Sequence, residues 1–65
     1  MNIIVNGRDV EVAESATVAD VVAVLGFPDR GIAVAMDSTV LPRSQWDTAL
    51  SSGARLEVVM AVQGG

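Results

Sequence analysis

The chain opens with Ile3-Ile4-Val5, then Asn6-Gly7, then a strict alternation of Asp9, Val10, Glu11 and Val12. A period of two places successive side chains on opposite faces of a strand. An Asn-Gly pair between two β-prone runs predicts a type I′ hairpin turn, because both central positions of that turn need positive φ. The pattern therefore predicts strands over residues 2–6 and 9–13, with Val10 and Val12 facing a core and Asp9 and Glu11 facing water.

From Thr17 the period changes. Val18, Val21, Val22 and Leu25 stand at i, i+3, i+4 and i+7, one face of a helix. Thr17 followed three residues later by Asp20 resembles a capping box. Gly26 suits the residue just past the helix end, and Pro28 blocks continuation. Valine is a weak helix former, and a helix this short does not stand alone in water. Packing of the valine stripe must hold it.

Residues 31–36 read as a third strand, with Ile32, Val34 and Met36 on one face and Ala33 and Ala35 on the other. Asp37-Ser38 is a turn, and Thr39-Val40-Leu41 a short strand stopped by Pro42. Ser44 and Asp47 repeat the spacing of cap and acid, predicting one helical turn capped by Ser44, with Trp46 folded onto the core. After a turn at Ser51-Ser52-Gly53 comes the longest strand, Arg55 to Val62. Leu56, Val58, Met60 and Val62 share its inner face, and Glu57, Val59 and Ala61 the other. Being the most apolar, it is expected at the centre of the sheet. The fold class is α+β: a mixed sheet of four to five strands with one main helix packed on one face.

Composition narrows the function. Sixty-five residues make one domain, and 51% hydrophobic content with twelve valines argues against disorder. With no cysteine and no histidine, disulfides, Cys or His zinc sites, thiol chemistry and imidazole catalysis are excluded. Four arginines, no lysine and eight acids give a net charge of −4, a poor basis for nucleic-acid or anionic-membrane binding. No apolar run approaches the roughly 20 residues of a membrane span, and no basic segment opens a signal peptide. The expected location is cytoplasmic.

Internal chemistry is absent from the pattern. Asp9, Glu11, Asp20, Asp29, Asp37 and Asp47 all have places on an outward strand face, at a cap or in a turn. No glycine-rich loop leads from a strand into a helix, and no histidine or lysine stands by to activate a serine or threonine. The remaining feature is the end, Gln63-Gly64-Gly65. Its plain reading is a frayed terminus. Its functional reading makes the Gly65 carboxylate the reactive group. Two glycines, lacking Cβ atoms, can thread a cleft closed to other residues, and three extended residues reach roughly 10 Å. The expected division is a domain over 1–62 and a tail over 63–65.

The whole chain resembles the sulfur carrier proteins of thiamine biosynthesis, the ThiS family, with the ubiquitin-like β-grasp fold. The resemblance rests on the first strand ending in Asn6-Gly7, Thr17-Val18 at the helix start, Leu25 at its end, Pro42-Arg43-Ser44-Gln45-Trp46, and the terminal Gly64-Gly65. Gln63 departs from the aliphatic residue commoner there in the family. The resemblance implies a carrier that binds no cofactor and has no active site of its own. A ubiquitin-activating-like adenylating enzyme would use ATP to adenylate Gly65, with Gly64 threading the cleft. A persulfide sulfur donor would then convert the terminus to a thiocarboxylate, and thiazole synthase would take the sulfur.

A cysteine-free carrier cannot hold sulfur as a protein persulfide, which fits this scheme. The missing lysines also fit, since an activated carboxyl beside a free amine risks amide formation, but a coding bias in a chain rich in Ala, Val and Arg is the stronger explanation. Val59 and Ala61, continued by Ala33 and Ala35 and by Val62 and Gln63 toward the tail, form the expected partner-binding surface. Ordinary packing beneath a loop is the competing explanation. Alternatives of the same chemistry are the small subunit of molybdopterin synthase, whose tail often carries prolines before the Gly-Gly, and another ubiquitin-like sulfur carrier. A non-carrier β-grasp interaction module is the alternative of a different class.

Overall fold

The computed structural model describes residues 1–28 and 30–60. Its strands are β1 (Asn2–Val5), β2 (Arg8–Glu11), β3 (Ile32–Met36), β4 (Thr39–Leu41) and β5 (Arg55–Met60), with one helix, α1 (Val18–Val24). They form a single sheet in the order β2-β1-β5-β3-β4. β5 lies at its centre, parallel to β1 and antiparallel to β3. Two hairpins thus flank a last strand inserted between them, and α1 packs on one face. This is the β-grasp arrangement.

Both hairpins turn through left-handed residues. Asn6 and Gly7 have φ of 51° and 81°, as a type I′ turn requires. The turn closes on the pair Val5 and Arg8, so β1 and β2 are each shorter than the expected 2–6 and 9–13. Val12 falls beyond β2, yet its N–H still donates to the Met1 carbonyl at 2.8 Å. Val10 and Val12 are half-buried against the core, as their alternation predicts. Asp37 and Ser38 turn the β3–β4 hairpin with φ of 50° and 72°, without a glycine.

Thr17 and Asp20 form a reciprocal capping box: Asp20 N–H donates to Thr17 Oγ1 at 3.2 Å, and Thr17 N–H to Asp20 Oδ2 at 3.0 Å. At the other end Phe27 N–H donates to the Val22 carbonyl and Gly26 N–H to that of Ala23, a Schellman motif with Gly26 at φ 80°. Val18, Val21 and Val22 are buried, but Leu25 is 40% exposed. The helix has already ended there, and Phe27 turns back onto the core instead.

The core joins these valines to Ile3, Val5, Val34, Leu50, Leu56, Val58 and Trp46. Trp46 is buried, its indole N–H donating to the Leu41 carbonyl at 3.2 Å. Its own carbonyl accepts the Ala19 N–H at 3.0 Å, satisfying a donor that a helix start leaves unpaired. The single turn before it, Arg43–Gln45, is a 3₁₀ turn capped by Pro42 and not by Ser44. Pro42 is extended, with ψ of 149°, and its carbonyl takes the Gln45 N–H at 2.8 Å, so the turn starts before Ser44 can cap it.

In β5, Leu56 and Val58 point inward and are buried, while Met60 is 54% exposed. Met60 shares their face but pairs with Ile32, the first residue of β3, at the end of the sheet. The expected continuation of this strand to Val62, and the boundary between residues 62 and 63, lie outside the described residues.

Candidate docking face and the C-terminal glycines

The face of the sheet turned away from α1 is set by register. Paired residues on neighbouring strands share a face. Ala33 pairs with Val59, and Ala35 with Glu57 on one side and Val40 on the other. All are out of phase with buried Val34, Leu56 and Val58. Val59 is 62% exposed and Val40 72%, with Ala33 exposed and Ala35 half-buried. The alanines keep the strip low and flat between the two valines.

Three of the residues expected on a partner-binding surface, Ala33, Ala35 and Val59, are therefore adjacent on one face. Val40 joins them, a residue that sequence reasoning leaves out because a three-residue strand does not disclose its facing. Glu57 borders the strip on the β5 side of Ala35. Toward β1 and β2 the same face becomes charged, with Ile4 set between Asp9 and Arg55.

A second contact has no clear sequence signal. Asn6 Oδ1 accepts the Val58 N–H at 2.8 Å, and Asn6 Nδ2 donates to the Val58 carbonyl at 3.3 Å. The Asn6 backbone N–H donates to the Leu56 carbonyl at 2.9 Å. β1 itself pairs with β5 only at Ile4–Arg55 and Val5–Leu56. The side-chain amide thus serves Val58 where the β1 backbone has turned away.

Ala61, Val62, Gln63, Gly64 and Gly65 lie outside the described residues. Among the described residues no cluster of acids is placed to hold a metal ion, and no polar side chain is buried. Asp20 serves the capping box, and Asp37 Oδ1 accepts the Arg55 N–H at 3.1 Å. No helix among them is long and apolar enough to cross a membrane. What the described chain offers is a surface and a central strand that leads in sequence to two glycines.

The ThiS family model matches residues 3–65. The chain has no match among curated proteins. It is similar to the crystal structure of the thiamine biosynthesis protein ThiS from Geobacter metallireducens, with 29% identity, a TM-score of 0.82 and all of both chains covered. It is also similar to the solution structure of a thiamine biosynthesis protein from Geobacter metallireducens, at 29% identity and a TM-score of 0.78, covering all of this chain and 88% of that one. With the family match spanning nearly its whole length on a five-stranded β-grasp sheet, the chain belongs to the ThiS family.

Proposed function

We propose that this chain is the sulfur carrier of thiazole formation in thiamine biosynthesis, with the Gly65 carboxylate as the atom-bearing group. The observation that carries this reading is the family match running through Gly64-Gly65. A carboxylate is a poor electrophile. Attack of its oxygen on the α-phosphorus of ATP, held by an adenylating enzyme, releases pyrophosphate and leaves an acyl-adenylate. The terminal sulfur of a persulfide displaces AMP, and a thiol then takes the remaining S–S bond, leaving the thiocarboxylate and a disulfide on the donor side. At thiazole synthase the thiocarboxylate sulfur passes to the acceptor substrate in exchange for an oxygen from that substrate's carbonyl or from water, and the carrier returns as the carboxylate. The strip of Ala33, Ala35, Val40 and Val59 is the surface by which these partners recognise the carrier.

The test is incubation with ATP, the adenylating enzyme and a persulfide donor, followed by mass measurement. The carrier should gain the mass of sulfur replacing one oxygen. Deletion of Gly64-Gly65 should abolish the gain while circular dichroism stays unchanged. Undiminished thiocarboxylate in the deletion would refute the assignment.

A further inference from the structure

We infer that Asn6 is a positioning residue for the C-terminal glycines, acting through its side-chain bonds to the Val58 backbone. This inference rests on the sulfur-carrier reading.

β1 leaves β5 after Val5 because Asn6 and Gly7 enter the left-handed region. Beyond that point β5 has β3 on one side, through the pairs Val34–Val58, Ala33–Val59 and Ile32–Met60. On the other side the backbone of Val58 faces the place that β1 has vacated. The Asn6 amide fills it with one acceptor and one donor, the same two groups that a peptide unit of a neighbouring strand supplies. Val58 thus gives both its backbone groups to Asn6 while Val34 lies opposite it on β3, and the chain runs on in sequence from there toward Gly65.

Glycine at position 6 would allow the same turn, and aspartate would still accept the Val58 N–H. Of these three residues only asparagine, with its amide, can both accept from and donate to Val58. Asn-Gly is ordinarily explained by turn geometry alone, but that geometry does not require the bonds to Val58.

Adenylation needs the Gly65 carboxylate at the α-phosphorus, and displacing a reacting group by about 1 Å can cost on the order of 100-fold in rate. Of the strip, Ala33, Ala35 and Val40 lie on β3 and β4, away from the Asn6 bonds to β5, and Val59, next to Val58, is still held in register by its pairing with Ala33. Loss of the amide should therefore lower the rate of bound carrier and spare its binding.

The experiment is pyrophosphate exchange with ATP and the adenylating enzyme of the same genome, over a range of carrier concentrations, for parent, Asn6→Gly and Asn6→Asp. Amide hydrogen exchange at Val58 accompanies it. Asn6→Gly should lose on the order of 10- to 100-fold in saturating rate. Its KM should stay within about twofold, the signature of a loss confined to the transition state. Its Val58 amide should exchange faster than the parent's. Asn6→Asp should protect that amide and lose less rate; it also carries the test if Asn6→Gly fails to fold. Parental saturating rates in both folded variants, or a change in KM alone, would overturn the inference while leaving the carrier reading intact. A parent chain that supports no exchange at all would overturn the carrier reading and this inference with it.

Discussion

Asp37 and Arg55 clasp each other where β5 begins: Asp37 N–H donates to the Arg55 carbonyl at 2.8 Å, and Asp37 Oδ1 accepts the Arg55 N–H at 3.1 Å. Asp37 does this from a left-handed conformation, φ 50°, that aspartate tolerates and alanine resists. Two effects can therefore be separated. Asp37→Gly removes the carboxylate but relaxes the backbone, and should cost about 0.5–1.5 kcal/mol, the worth of one hydrogen bond. Asp37→Ala adds left-handed strain of about 1–2 kcal/mol. Asp37→Asn keeps both the acceptor and the tolerance and should stay near the parent. Urea midpoints of the three variants check the order. Equal losses for alanine and glycine would remove strain from the explanation.

The capping box predicts a salt-dependent effect. Thr17→Ala should cost about 1 kcal/mol, because Asp20 N–H loses its acceptor at a helix start. Asp20→Asn retains a hydrogen-bonding oxygen but removes a negative charge from the first turn, worth about 0.3–1 kcal/mol at low ionic strength. The Asp20→Asn loss should shrink as salt rises, and the Thr17→Ala loss should not. Denaturation at low and high salt separates them.

The inner face of β5 predicts a contrast between neighbours on the same side. Leu56 is fully buried, so Leu56→Ala should cost about 2–5 kcal/mol. Small domains sit near the lower end of the usual ~5–15 kcal/mol of total stability, so this variant should be largely unfolded when warmed. Met60 is 54% exposed, and Met60→Ala should cost under about 1 kcal/mol. Similar losses for the two would place Met60 in the core and contradict the end of the sheet described above.

These contrasts mark what the sequence discloses. Periodicity tells which way a side chain points, so Val10, Val18, Val21, Val34, Leu56 and Val58 are legible as inward. It does not tell where the covering layer stops, and so Leu25 and Met60 look like core residues from the pattern and prove exposed. Trp46 is legible because a lone large aromatic in a short polar turn has few places to go. The strip is legible in part: Ala33, Ala35 and Val59 alternate visibly, while Val40 depends on the pairing of β4 with β3. Asn6 has two roles, and the local one, the turn, hides the distant one, which exists only once β5 is brought beside β1. The start of the 3₁₀ turn at Pro42 is not legible, because the Ser44 hydroxyl is a visible capping signal while the extended Pro42 backbone, whose carbonyl takes the Gln45 N–H, is not.

The last prediction separates the two parts of the proposed carrier, the glycines and the strip. Position 64 follows β5 in sequence, and a glycine has no side chain to give to a core. Gly64→Val should therefore leave the melting midpoint unchanged. It adds a branched Cβ where the tail is to enter a narrow cleft, and removes backbone freedom that only glycine has. Saturating adenylation should fall by on the order of 100-fold, with KM little changed, as expected when a reacting group is misplaced by about 1 Å. Val59→Asp acts in the opposite way. Its side chain is 62% exposed beside Ala33, so the fold should tolerate it, but a charge now stands on the apolar strip, next to Glu57 in the same strand. KM should rise, and carrier that does bind should react at the parental rate. Pyrophosphate exchange over a range of carrier concentrations measures both variants. A Gly64→Val carrier that reaches full rate at saturation, losing only affinity, would leave the paired glycines as a tether and end the threading explanation. A Val59→Asp carrier with unchanged KM would move the docking surface off this face of the sheet.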